Sequence, residues 1–487
     1  MIKKNIAIII PELRGGGAER IAGLLSKCLC TIYNVYLFVE EDSEAIYDYG
    51  GTKIVLSEDG KSKAHFLKEL KERYHIDCAI SFMEHSNILN ILSKGKETVI
   101  FSIRTTLSHR TLPKRVDHNI RWVNQGADHL IALSEGCRKD LIQNYGLSPD
   151  GVTVIYNFLD KDMILRKANQ QNGRDETLRA FKGQAKLVLH IGRLEKVKNQ
   201  EKLLVQFLHL TKQEDVRLLI IGSGSEEMHL QERITEMGLM KKVKILSYQE
   251  NPFHYYQYAD VFVLTSRVEG FSNVLLESMV LKTPVVSVDC MSGPRELIAG
   301  DKDYSRKING YEICENGILV EDAKTDDTGE TDYLCRAMRK VLTDEVMREK
   351  IIANALKFVE VYSNENILNQ WIDIIENTVS KNVCFRNRML LELRDKKEVI
   401  VYGAGKLGRE VMYRLLEERD DWAFICFAVT DKSICQSSVR NIPVFELTDL
   451  YEHRDKAIVV ISVGQCYEEE VLKHIQKHGF QYTWGDV

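Results

Sequence analysis

Residues 260–296 read DVFVLTSRVEGFSNVLLESMVLKTPVVSVDCMSGPRE, and their pattern decides the fold. Val261 to Thr265 is a short β-branched apolar run, the mark of a strand buried on both faces of a parallel sheet. A polar loop holding Gly270 follows, then a helix that begins at Ser272 or Asn273, both good N-cap residue types. Pro284 closes that helix, and Val285 to Val288 opens a second buried strand. A strand–loop–helix–strand unit aims the helix N-terminus out of the carboxyl edge of the sheet, where unpaired N–H groups hold phosphate. Glu269 and Glu277 bracket the loop, one beside the anion site and one about a turn into the helix. Carboxylates on both sides of a phosphate suit a ligand with hydroxyls on both sides of it, such as a nucleotide sugar.

Upstream, the run Leu187–Ile191 ends in Gly192-Arg193, with Lys198 five residues later. An Arg and a Lys at one strand end form a phosphate clamp, the fork orienting and the ammonium adding a point charge. Gly222 and Gly224 mark the next strand-to-helix turn. Further back, Ile6–Ile10 leads into Gly15, Gly16 and Gly17 and a helix, a loop whose backbone can approach a ligand closely. Strand signals recur at Val35–Val39, Cys78–Phe82, Val99–Ile103, His129–Leu133 and Val152–Tyr156. Alternation with helices predicts a parallel sheet covered on both faces, with its site at the strand carboxyl ends. His85 and Arg104 each follow such an end, and an Arg there suits an anionic acceptor or a leaving phosphate. Residues 163–184 are polar and free of strand signals, the expected linker between two domains.

The spacing of Glu269 and Glu277 within EGFSNVLLE, followed by SGPRE, resembles the retaining glycosyltransferases of family 4. GGGAER, Gly-Arg-Leu…Lys-Asn and the YNF at Tyr156–Phe158 resemble further motifs of that family. The resemblance covers about residues 1–380 and implies an α/β protein of GT-B fold, two Rossmann-like domains facing a cleft. The acceptor-side domain would span 1–175, closed by a helix at 362–380, and the donor domain 183–361. It further implies a UDP-sugar donor, transfer of a hexose or N-acetylhexosamine with retention, and a glycan or lipid-linked glycan acceptor in cell-envelope synthesis. Glu269 would face the donor sugar, Arg193 and Lys198 the diphosphate together with Ser272, Asn273 and Val274, and Glu277 the ribose. Gly16 and Gly17 would lie over the donor phosphate, Gly222 and Gly224 under the nucleotide, and Tyr248–Gln249 beside the base. No metal is expected: the Asp160-Lys-Asp162 and Asp301-Lys-Asp303 triplets follow no strand that aims them into a cleft. The alternatives are a non-catalytic GT-B partner subunit, or a nucleotide-sugar epimerase, bifunctional through its C-terminal region.

Residues 381–398 read as a charged connector. Beyond it, VIVYGAGKLGRE sets Gly403, Gly405 and Gly408 between a strand and a helix, the context that a dinucleotide fingerprint requires. Strands at Phe424–Val429 and Ala457–Val463 complete a third, small Rossmann-like domain over 383–487, read either as a nucleotide site or as a packing module. Asp431 falls too far past its strand to serve as the ribose acid.

A length of 487 residues accommodates about three domains. A net charge of −5 excludes a global case for nucleic acid, and eleven Cys without a CxxC pair point to reduced thiols in the cytoplasm. No apolar run approaches the ~20 residues of a spanning helix, so membrane contact is expected to be peripheral. Two basic stretches would supply it on an anionic inner leaflet: Lys61, Lys63, Lys68, Lys71 and Arg73, and Arg104, Arg110, Lys114, Arg115 and Arg121. Leu112, or Phe66 and Leu67, would add a shallow apolar contact.

Overall fold

The computed structural model describes every residue except 1–2, 15, 42–44, 46, 57–61, 109–125, 171–175, 291, 305, 323–331, 394–397, 406–407, 410, 413–414, 417–421, 432–436, 440–441, 464–467 and 485–487, with backbone alone at 383–393, 468–469 and 483–484. The chain forms two compact units, Met1–Ile375 and Glu376–Val487.

The first unit holds two seven-stranded sheets. One has the order β3-β2-β1-β4-β5-β6-β7, from β1 (Asn5–Ile10), β2 (Asn34–Val39), β3 (Thr52–Val55), β4 (Cys78–Phe82), β5 (Thr98–Ile103), β6 (His129–Ala132) and β7 (Val152–Val154). All of its pairings are parallel. The other has the order β10-β9-β8-β11-β12-β14-β13, from β8 (Lys186–Ile191), β9 (Val216–Ile221), β10 (Val243–Leu246), β11 (Val261–Leu264), β12 (Val285–Val288), β13 (Tyr311–Ile313) and β14 (Ile318–Val320). It is parallel except for the β13–β14 pair at its edge. Ile6–Ile10, Cys78–Phe82 and Val261–Leu264 are buried along their whole length, as continuous apolar runs covered on both faces should be. Strand β3 escaped the sequence reading because Thr-Lys-Ile-Val is a four-residue edge strand, only half covered.

The expected linker at 163–184 is not a loose connector. It folds into helices Lys161–Gln170 and Glu176–Lys182, whose Ile164, Ala168 and Leu178 enter the main apolar core. Two buried residues one turn apart on the first helix and one on the second suffice to seat an otherwise polar segment. The closing helix is also longer than expected, Asn364–Leu393, and runs through most of the anticipated charged connector. Ile367, Trp371 and Ile375 recur every fourth residue and are buried, and the Trp371 ring lies 6.3 Å from Phe82 at the end of β4. Leu159 donates its N–H to the carbonyl of Tyr362 at 2.9 Å, fastening this crossing to the first sheet.

In the second unit, β15 (Glu398–Tyr402), β16 (Phe424–Val429), β17 (Ser438–Val439), β18 (Ile442–Glu446), β19 (Ala457–Ile461) and β20 (Gln481–Trp484) form a sheet of order β17-β18-β16-β15-β19-β20. Only the β17–β18 pair is antiparallel. A Cβ on Gly403, at φ +110°, would lie 2.6 Å from the Ser462 carbonyl oxygen, and one on Gly408 would strike Gly403 itself. These two glycines therefore serve the packing of the turn, while Gly405 faces open space.

Part of the basic face expected to meet a membrane is internal. Lys71 is buried, with its ammonium donating to Glu97 Oε1 and Asn90 Oδ1 at 2.7 Å each, and Leu67 is core. Lys61, Arg110, Leu112, Lys114, Arg115 and Arg121 lie outside the described residues. Among the described residues, no helix is long and apolar enough to cross a membrane.

Candidate functional site

Strand order reverses between β8 and β11, so their carboxyl ends open side by side, the place where open α/β sheets bind ligands. The loop after β8 carries Arg193 and Lys198, and the loop after β11 carries Glu269. Lys198 Nζ donates to Glu269 Oε1 at 2.7 Å, joining residues 71 apart in sequence. Arg193 is mostly exposed and pairs with Glu195 at 2.8 Å. A cavity of about 790 Å³ opens over these loops between the two sheets of the first unit. It is lined from one side by Arg193, Lys198, Glu269, Ser272, Asn273, Val274 and Glu277, and from the other by Gly16, Gly17 and Arg104.

The Asn273–Val280 helix points its N-terminus into this space. Ser272 occupies the N-cap position but does not cap. Its backbone is left-handed, at φ 72° and ψ 67°, which turns the hydroxyl away from the helix N–H groups. Ser272 Oγ is buried without a hydrogen-bond partner, and the helix keeps its first N–H groups uncapped by side chains. Such an end is an anion site by construction. Met83, another cavity-lining residue, also has a positive φ, of 72°. Backbone strain of this kind, on the order of 1–3 kcal/mol, concentrates where a loop is shaped for a ligand.

Contacts across the cavity were not legible in the sequence. Arg20, from the first helix, donates to Glu277 Oε1 at 3.3 Å. Arg104 donates to Asn157 Oδ1, and Asn157 Nδ2 donates in turn to Asn273 Oδ1 at 2.6 Å, tying the end of β5 to the helix N-terminus. Glu296 accepts the N–H groups of Glu135 and Gly136 at 3.0 and 3.2 Å, together with the hydroxyls of Tyr156 and Tyr304. Burial and then the Glu296 charge hold both tyrosines protonated, well above the ordinary phenol range. Tyr47 and Tyr248 line the same cavity from opposite sheets, and Gln249 lies beside Tyr248.

One supporting group beneath the site was hidden within an apolar run. His190 in β8 is fully buried; Nδ1 donates to the Val263 carbonyl at 2.9 Å, and Nε2 faces Gln200 Nε2 at 3.3 Å. Gln200 also donates to the Arg193 carbonyl at 2.8 Å, so the pair fixes the loop that presents Arg193. Desolvation lowers the His190 pKa to about 4, which keeps the ring neutral and Nε2 an acceptor.

Three expected site residues lie elsewhere. His85 is not among the cavity-lining residues; its mostly exposed ring is drawn to Glu40. Gly222 and Gly224 also lie off the cavity. A Cβ on Gly222 would come within 1.9 Å of the Gly192 oxygen and one on Gly224 within 2.3 Å of the Leu194 oxygen, so both glycines let two loops touch. Among the described residues no cluster of metal-ligating side chains occurs. Asp160 instead accepts the Met163 N–H, and Asp301 engages Arg306.

Residues 15–163 match the model of Glycosyltransferase Family 4, and residues 175–358 that of Glycosyl transferases group 1. Among curated relatives, the chain is 28% identical over 380 residues to the N-acetylgalactosamine-N,N'-diacetylbacillosaminyl-diphospho-undecaprenol 4-alpha-N-acetylgalactosaminyltransferase of Campylobacter jejuni, covering 73% of this chain and 99% of the relative. It is 29% identical over 387 residues to the amylovoran biosynthesis glycosyltransferase AmsD of Erwinia amylovora, covering 76% and 99%. Among solved structures, HepE of Anabaena in complex with UDP superposes with a TM-score of 0.62 at 18% identity, covering 77% of this chain and all of that one. That likeness bears out the two-domain GT-B fold.

Proposed function

The chain is a glycosyltransferase of GT-B fold, a family 4 domain followed by a group 1 domain, and on that premise we propose that it transfers a hexose or N-acetylhexosamine from a UDP-sugar, with retention, to a lipid-linked glycan of the cell envelope. The observation that carries this reading is the convergence of Arg193, Lys198, Glu269, Glu277 and an uncapped helix N-terminus on one cavity wall. The relatives' activities, on undecaprenol-diphosphate-linked glycans and in amylovoran synthesis, support the acceptor class. The acceptor side falls to residues 1–175 and the donor side to 183–361.

On this reading the donor diphosphate lies at the N-terminus of the Asn273–Val280 helix, where Ser272 Oγ gains the partner it lacks. Glu277 exchanges Arg20 for the ribose hydroxyls, and Glu269 turns towards the sugar. The bond from the anomeric carbon to the β-phosphate oxygen breaks through an oxocarbenium-like state. The acceptor hydroxyl attacks from the same face, and its proton passes to the departing diphosphate. Arg193, Lys198 and the helix dipole stabilise the charge on that diphosphate, so a cation–dipole cradle does what a metal does elsewhere. No protein nucleophile is needed.

The test is a panel of UDP-sugars offered without acceptor, with release of UDP followed in the presence of EDTA. Slow hydrolysis of one donor in chelator is the expected result; no release from any donor, or release only after Mn²⁺ is restored, contradicts it. The anomeric configuration of the transfer product decides retention. For a lipid-linked acceptor we further place the first domain against an anionic cytoplasmic leaflet, by the part of the basic face that is not internal. Sedimentation with anionic vesicles at low salt tests this, and a protein left wholly in the supernatant removes it. The third sheet enters no step of transfer, and a nucleotide at Gly405 is a separate proposal, checked by titrating NAD or UDP into residues 383–487.

A further inference from the structure

Arg104 stands at the end of β5, partly buried in the cavity wall that belongs to the first sheet. Its partners are all neutral: the Ser102 hydroxyl at 3.3 Å, the Asn157 carboxamide oxygen, and the Phe82 ring with its centroid 5.8 Å from the guanidinium carbon. A guanidinium carries more donors than these partners use. Among the described residues no carboxylate forms a hydrogen bond or ion pair with it. Three of the four other arginines and lysines that line the cavity differ, since Arg20 meets Glu277, Arg193 meets Glu195 and Lys198 meets Glu269. Desolvation brings the Arg104 pKa down to about 10, and the group still carries its charge at neutral pH.

Even a partly buried cation without a counter-charge carries a desolvation cost, and one kept on a cleft wall is placed to be paired by something that arrives there. The donor diphosphate has its own cations and helix end on the opposite wall. Arg104 reaches that helix only through Asn157, which stands between the guanidinium and Asn273. Its backbone is likewise held at the crossing, because a Cβ on Gly270 would lie 2.5 Å from the Arg104 carbonyl oxygen. The guanidinium is thus fixed one side chain away from the donor anion site, on the side from which the acceptor enters.

We propose that Arg104 recognises an anionic group of the acceptor, a phosphate or diphosphate, at the first-domain wall of the cleft; this rests on the glycosyl-transfer reading above. Arg104 then selects acceptors by their charge and leaves the choice of donor to the other wall.

The test is calorimetric titration of inorganic pyrophosphate into the full-length protein already saturated with UDP. Wild type binds pyrophosphate, and Arg104→Gln loses at least about tenfold in that affinity, the scale of a lost charged hydrogen bond. Arg104→Lys keeps a cation without the fork and falls between the two. UDP affinity, measured separately, moves less than about threefold in either variant, which also shows that each is folded. Equal pyrophosphate binding in wild type and Arg104→Gln, or none in wild type, overturns the proposal. So does a variant that loses UDP affinity instead, since Arg104 then belongs to the donor phosphates. Failure of wild type to bind UDP at all strikes the transfer reading itself.

Discussion

Lys198 and Glu269 meet at 2.7 Å at the floor of the cavity, so on the proposed reading an arriving diphosphate meets a cation that is already positioned. Replacing Arg193 or Lys198 by Ala removes one charge-stabilising donor, and each variant should lose turnover by about 100-fold while remaining folded. Unchanged rates in both would mean that the leaving charge is held elsewhere. His190 gives a prediction with a sign. Its ordinary value is 6.5 and its folded value about 4, so the unfolded chain takes up a proton that the native ring refuses. Stability present above pH 6.5 is therefore lost as the pH falls towards 4. From pH 7 to pH 5, wild type should lose about 2 kcal/mol more unfolding free energy than His190→Gln. Parallel pH curves in urea titrations would contradict a neutral, buried ring. Arg193, Lys198 and Glu269 were legible because each stands just past an apolar run. His190 was not, because a His within LVLHI reads as core; Asn157 stood out only as part of the YNF motif, and its contact with Asn273, 116 residues away, could not be read.

Among the elements, the loops that cross the cleft show how closely the two sheets of the first unit are fitted. An Ala at position 270 would place its Cβ 2.5 Å from the Arg104 oxygen and 3.1 Å from Leu133. The first neighbour is backbone and cannot rotate aside. Gly270→Ala should cost about 1–3 kcal/mol, as overpacking does, read as a lower midpoint in denaturant unfolding. An unshifted midpoint would show slack between the loops. The helix Asn273–Val280 and the strands around it were readable from period and punctuation. The left-handed turn at Ser272 was not, since nothing in the letters distinguishes a capping serine from one whose hydroxyl is withheld. The same limit hid the close contact between two loops that Gly222 and Gly224 allow.

At the scale of the whole molecule, the apolar core that holds the site runs from Val99 through Leu264 to Tyr362, all within the first unit. The rings of Tyr156, Phe271 and Tyr362 pack with centroids 4.9–5.4 Å apart, joining both sheets to the crossing segment. Truncation after residue 382 keeps this core together with buried Trp371 and Val379, and should preserve donor hydrolysis. A truncated protein that folds but no longer binds UDP would assign the C-terminal unit to the site. The parallel sheets were open to reading because strand and helix signals alternate along most of the chain, and the GT-B architecture through the resemblance carried by the stretch around Glu269 and Glu277. The seating of 163–184 and the length of the closing helix were not, because their few buried residues are diluted in polar sequence. The central claim is that the cleft is built for a UDP-sugar, and calorimetric titration of UDP into wild type and Glu277→Ala tests it most directly. Saturable binding to wild type, weakened about 10- to 100-fold in the variant as expected for losing a hydrogen bond to a charged group, is the predicted result. No binding to wild type, or equal binding to both proteins, would contradict it.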